Sequence, residues 1–157
     1  MKKEGFTLIE MILVLAIFVI MVGVSTTAIA GALNKNQLSD SGNHLLQALR
    51  KAEFNSIYRV QDSEWGVYFS NEESKDYFIM FKGKDYKNRN PLFDQKYSLP
   101  GTLEFQHLAL GKNLNQIVFS KVTGETVDFG QLELVDTSAP QNNLIFLINS
   151  LGQIEIK

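Results

Sequence analysis

Hydrophobic and polar positions divide the chain into three stretches of different period. In the first, no charge interrupts Met-Ile-Leu-Val-Leu-Ala-Ile-Phe-Val-Ile-Met-Val-Gly-Val from Met11 to Val24. Phe6 to Val24 is 19 residues, and a helix of that length would be about 28 Å long at ~1.5 Å per residue. That is close to the ~30 Å hydrocarbon thickness of a bilayer, so the run predicts a membrane-spanning helix. Lys2 and Lys3 ahead of it place the N-terminus on the cytoplasmic side. Small residues from Ser25 to Leu33 remain compatible with the helix, with Gly23 and Gly31 its only weak points.

The second stretch repeats at helical period. Leu38, Leu45, Leu49 and Ala52 follow steps of 7, 4 and 3, Leu46 and Ile57 flank them, and Gln47, Arg50, Lys51 and Glu53 lie opposite. This predicts one helix continuing to about Tyr58, half apolar and half solvated, with Ser39-Asp40-Ser41-Gly42 marking a bend. His44 beside the stripe reads as a solvated helix residue, since no second ligand stands at i+3 or i+4.

After Ser63 the period becomes two. Strands are expected at Trp65–Phe69 and Tyr77–Lys82 around a polar turn, then at 103–108, 116–119, 126–129, 131–135, 144–148 and 153–156. The apolar run Leu144–Ile148 suits a central strand, and Gly83 to Gly101 reads as a long loop. Short strands with turns between them, and no second long helical pattern, predict an α+β fold: one long N-terminal helix packed on a C-terminal antiparallel β-sheet head.

Glu10 stands out, because a carboxylate near the start of a membrane helix costs several kcal/mol unless it reaches water, protonates or meets a cation. If the chain were cut between Gly5 and Phe6, the new α-amino group, with an ordinary pKa of ~8, would be such a cation on a neighbouring subunit. The plainer reading is a carboxylate that extends toward the headgroups. An ordinary secretory signal would use Ala28-Ile29-Ala30, and a plain anchor would stay uncut. Neither explains Gly-Phe-x-x-x-Glu.

Lys-Lys-Glu-Gly-Phe-Thr-Leu-Ile-Glu followed by a long apolar run resembles the leader and N-terminus of type IV prepilins and type II secretion pseudopilins. The resemblance implies cleavage after Gly5 by a prepilin peptidase, N-methylation of Phe6, and a role for Glu10 in subunit registration. The blocks Ala48–Glu53, Phe119-Ser120 with Gly124, and Ile148–Ile154 look like the GspH/FimT group of minor pilins and pseudopilins. Four segments are then expected: a leader at 1–5, a transmembrane and assembly helix at 6–33, its amphipathic second half at 34–60, and a β-rich head at 61–157. The implied life history begins as a single-pass protein of the bacterial inner membrane, head outside the cytoplasm, and ends in an extracytoplasmic filament. Its partners are the prepilin peptidase and methyltransferase, other pilin or pseudopilin subunits, and the membrane.

Composition narrows the chemistry. Hydrophobic residues are 45% and charged residues 20% of the 157, a folded protein's profile. The net charge of −2 becomes −3 once Lys2, Lys3 and Glu4 leave with the leader, which does not advertise a nucleic-acid binder. Cysteine is absent, so an exported head is held by its core and hydrogen bonds alone. His44 and His107 form no zinc pattern, and neither a phosphate loop nor a Gly-x-Ser-x-Gly elbow occurs. Glu72-Glu73 reads as a solvated turn. No enzyme, metal or cofactor is expected. One surface stretch has binding chemistry: the loop from Lys82 to Tyr97 has a local balance of +3 with Tyr86, Phe93 and Tyr97 interleaved. Lys84, Tyr86, Lys87 and Arg89 are its candidate polyanion contacts, which makes a DNA- or surface-binding pilin of a competence apparatus the alternative function. Asp85, Asn88, Asn90 and Asp94 offer oxygens but lack EF-hand spacing.

Overall fold

The structure, a computed structural model, describes residues 7–71, 75–111 and 115–157, without the side chains of residues 23–32 and 34. The chain divides into two units, Met1–Lys35 and Asn36–Lys157. Helix α1 (Leu8–Ile57) runs through 50 residues without interruption.

In the first unit α1 carries its apolar run in the open. Every large apolar side chain from Leu8 to Val22 is at least 50% exposed. Among the described residues no helix is long and apolar enough to cross a membrane.

In the second unit the same helix is amphipathic. Leu38, Leu45, Leu49 and Ala52 are buried in the core, while Arg50 and Lys51 are exposed. The expected bend at Ser39–Gly42 is absent. Ser41 and Gly42 are buried instead, and a Cβ at Gly42 would collide with Leu144. Glycine lets the helix backbone lie against that side chain, so the residue serves close packing.

Among the described residues eight strands follow: β1 (Trp65–Ser70), β2 (Tyr77–Lys82), β3 (Gln95–Ser98), β4 (Leu103–Leu110), β5 (Gln116–Phe119), β6 (Gly130–Asp136), β7 (Asn143–Ile148) and β8 (Ile154–Ile156). They form two antiparallel four-stranded sheets, ordered β3-β2-β1-β5 and β4-β6-β7-β8. β7 is an interior strand, as its apolar run predicts. Phe69 of one sheet meets Phe105 of the other edge to face at 5.4 Å. Phe119, Leu132, Leu134 and Phe146 complete a core that also holds Leu45 and Leu49 of α1. Each fully buried side chain of this size contributes about 1.5–3 kcal/mol of transfer free energy.

Two expectations are corrected. Residues 83–101 are not one loop: they contain a short 3-10 helix, Pro91–Phe93, and strand β3. Asn90 caps that helix by accepting from Leu92 N at 3.1 Å, with proline at the first helical position. Thr126–Phe129 is not a strand. Asp128 N donates to Thr126 Oγ1 at 3.1 Å, and this local bond holds a turn in place of a ladder. Thr126 and Asp128 are buried while Val127 and Phe129 face solvent, the inverse of the apolar-inward alternation.

The edge of β4 is capped from the other sheet. Asn71 Nδ2 donates to Phe105 O at 3.2 Å, and Phe105 N donates to Asp76 Oδ2 at 2.7 Å. Both backbone groups of Phe105 therefore point away from β6 and are satisfied, which closes an edge otherwise open to strand pairing. Burial pushes the Asp76 carboxyl up, against the lowering effect of that hydrogen bond. Two glycines join the turns at the end of α1. Gly124 (φ +74°) lies against Ile57, and Gly152 (φ +85°) lies against the Gly124 carbonyl, where any Cβ would clash.

Candidate assembly and binding surfaces

The start of α1 is built by a local motif. Glu10 N donates to Thr7 Oγ1 at 3.3 Å, and Met11 N donates to Thr7 O at 3.3 Å. Thr7 is thus the N-cap, and Thr7-Leu8-Ile9-Glu10 has the spacing of a capping box. Glu10 is in the first helical turn, where the unsatisfied N–H groups and the helix dipole favour negative charge. It is exposed, with Leu8, Ile9, Met11, Ile12 and Leu13 exposed around it. The geometry is one exposed carboxylate in an otherwise apolar surface. Gly5 and Phe6, the cleavage and methylation residues, lie outside the described residues. Thr7 has no role among the sequence-based expectations, although Thr-x-x-Glu ahead of an apolar run is its sequence signal.

The loop expected to bind polyanions folds onto the outer face of the first sheet. The Tyr86 ring stacks on Tyr68 at 3.8 Å and 6°, and meets Phe81 edge to face at 5.7 Å. The Arg89 guanidinium covers the Tyr86 ring at 3.8 Å. Arg89 Nε also donates to Asp94 Oδ2 at 2.8 Å, and its Nη1 donates to Tyr86 O at 2.9 Å. Tyr86 N donates to Gln116 Oε1 at 3.0 Å, which ties the loop to β5. Burial pushes the Tyr86 phenol up, and the Asp94 hydrogen bond holds the Arg89 proton more firmly than usual. Tyr86 thus has a partner on each face, and Arg89 is offset by Asp94. Lys84 and Lys87, the other two candidates, are exposed.

The acidic oxygens of this loop are also engaged. Asp85 accepts from Asn88 N at 2.9 Å and from Asn88 Nδ2 at 3.0 and 3.1 Å. These bonds hold its carboxyl below the usual range. Among the described residues no group of three His, Asp or Glu could hold a metal ion. His44 stacks on Tyr97 at 4.6 Å beside a groove between α1 and β3. His107 sits at a bulge in β4 with φ +47°, its Nδ1 at 2.9 Å from Glu133 Oε2. The Asn143 amide also bonds Glu133, and together these contacts hold the Glu133 carboxyl low. Glu72 and Glu73 lie outside the described residues.

Comparisons with known proteins bear on both ends of the chain. Residues 1–26 match the family described as the prokaryotic N-terminal methylation motif. A search of curated proteins finds no match. Among solved structures the chain is similar to the type IV minor pilin FimU of Pseudomonas aeruginosa strain PAO1. For the crystal form in space group P21 the identity is 14% and the TM-score 0.57, over 78% of this chain and 89% of FimU. For the form in P65 the identity is 14% and the TM-score 0.53, over 76% and 92%. The chain therefore joins a prokaryotic N-terminal methylation motif to the fold that the minor pilin FimU shows.

Proposed function

We propose that this chain is made as a prepilin in the cytoplasmic membrane, cut after Gly5, methylated on Phe6 and assembled into a type IV pilus or a type II secretion pseudopilus. The observation that carries the reading is the exposed apolar surface from Leu8 to Val22 with Glu10 as its only charge. Such a surface needs lipid first and neighbouring helices afterwards. Thr7 fixes the first turn, so Glu10 is held at a defined depth. There it meets the α-ammonium of a neighbour's Phe6 and each charge neutralises the other. The DNA- or surface-binding alternative draws on Lys84 and Lys87, because Tyr86 and Arg89 are occupied within the loop.

Glu10→Ala separates membrane insertion from assembly. The variant is expected to insert in membranes at the wild-type level and to be missing from sheared fibres. Wild-type levels of Glu10→Ala in fibres contradict the registration role.

A further inference from the structure

The head closes the edge of β4 and leaves that of β3 open. Asn71 and Asp76 take up both outward backbone groups of Phe105 on β4. β3 is the edge of the first sheet, paired with β2 alone. Leu99 N donates to Asp76 O at 2.9 Å. Bonded pairs alternate along an antiparallel ladder, so Tyr97 and Gln95 bond to Phe78 and Met80 of β2. The N–H and C=O groups of Lys96 and Ser98 therefore point outward, and no backbone group of the described residues pairs with them. Beside that edge lies a groove of about 230 Å³ between α1 and β3. Phe78 and Met80 form its floor, His44 and Lys51 of α1 one wall, and Gln95 and Tyr97 of β3 the other. No Asp or Glu lines it. Lys51 Nζ donates to the neutral Gln95 amide at 3.0 Å, and His44 stacks on Tyr97. Of the neighbouring acids, Asp94 accepts from Arg89 and Asp40 is exposed one helical turn before His44. The Lys96 ammonium lies over the Tyr77 ring at 3.6 Å, on the other face of the sheet.

We propose that this groove binds an extended segment of a different protein, added antiparallel to β3 as a fifth strand of the first sheet. Guest residues opposite Lys96 and Ser98 exchange N–H···O bonds with them, the means by which peptides join an open sheet edge. Guest side chains opposite Tyr97 and Gln95 fall on the face that those two share, toward α1. An apolar side chain opposite Tyr97 meets Tyr97 and Phe78. A carboxylate opposite Gln95 takes the Lys51 ammonium from a neutral amide, and the charged hydrogen bond is the stronger one. Because the guest runs antiparallel, its pattern from N- to C-terminus is apolar-x-acidic. Size favours side chains over a whole small molecule, since sites that enclose one are ~300–1,000 Å³. Charge excludes β3 of a second copy, which brings Lys96 and no carboxylate and would set lysine beside lysine.

The probe is the peptide acetyl-Thr-Leu-Thr-Glu-Thr-amide, added to the full-length chain in detergent micelles. Saturating peptide is expected to slow amide hydrogen exchange at Lys96 and Ser98 about tenfold. Methylating the nitrogen of the central Thr, which faces Lys96 O, should weaken binding about tenfold, the effect of ~1.4 kcal/mol. Methylating the Glu nitrogen, which points away from β3, should leave binding unchanged. Lys51→Glu should also weaken binding about tenfold, and the peptide with Lys in place of its Glu should bind that variant in its stead. Unchanged exchange at Lys96 and Ser98 in excess peptide, or equal weakening by either methyl group, overturns the proposal. Exchange that slows with chain concentration in the absence of peptide assigns the edge to a second copy. Slowing by a single-stranded DNA oligomer and not by the peptide assigns it to nucleic acid. Either result overturns the proposal, and none of these outcomes bears on the prepilin reading.

Discussion

The first unit and the head use the same kind of side chain in opposite ways. Leu13, Ile17 and Phe18 are 56%, 50% and 65% exposed, whereas Leu49, Phe69 and Phe146 are fully buried. Both sets sit on regular, unbroken elements. The difference lies in what surrounds them: the head supplies two sheets that close over its apolar stripe, and the stretch from Met11 to Val22 is apolar on all sides. A helix that is apolar all round is buried by something outside itself. Residues that hold this chain's own fold are therefore distinct from the apolar residues that this fold leaves uncovered.

Substitutions can break that separation, and the largest effect belongs to the first unit. Ile17→Asp places an unpaired carboxylate in the middle of the apolar run, where charge costs roughly 2.5–3.5 kcal/mol on insertion scales and more on an isolated helix. Membrane fractionation is expected to show the variant lost from the membrane and from fibres. Circular dichroism of the released chain should show the head still folded. Leu49→Ala is the reciprocal test. It should destabilise the head by about 2–5 kcal/mol in denaturant unfolding, and membrane insertion should not change. A variant of either kind that disturbs both properties equally contradicts the division of labour.

A smaller effect is expected where the head covers its own surface. Arg89→Ala uncovers one face of Tyr86 and leaves Asp94 without its cation. Stability should fall by about 1–2 kcal/mol, the size of a partly buried cation–π contact with a charged hydrogen bond. Tyrosine fluorescence should report a more solvated Tyr86. No change in either would mean that the loop is not held by this stack.

Much of this was legible from residue order, for physical reasons that vary by element. Tyr77–Lys82 and Gln116–Phe119 are strands at the expected bounds, since burial inside the head makes their sequences nearly continuous in apolar residues. β3 was not legible, because an edge strand reading Gln-Lys-Tyr-Ser has no apolar alternation to show. Thr126–Phe129 has the composition of a strand, but a side chain to backbone bond takes it into a turn. Gly42 resembles a break in sequence and acts as a contact, a distinction that depends on Leu144, far along the chain. In the binding loop the basic and aromatic content was visible. That Arg89 and Tyr86 face one another depends on Tyr68 and Asp94, which only folding brings to that place. Glu10 stands out in the sequence because a lone carboxylate in an apolar run has few inexpensive explanations, whereas the N-cap role of Thr7 emerges only from the hydrogen bonds of the first turn.

The central claim is that the chain is matured as a prepilin, and the N-terminal peptide of the protein recovered from membranes or sheared fibres tests it most directly. Mass spectrometry is expected to find a peptide that begins at Phe6 and carries one added methyl group. A peptide that begins at Met1 or Lys2 would make the first unit a plain anchor, and one that begins at Gly31 would make the head a secreted domain. Either result would contradict the account.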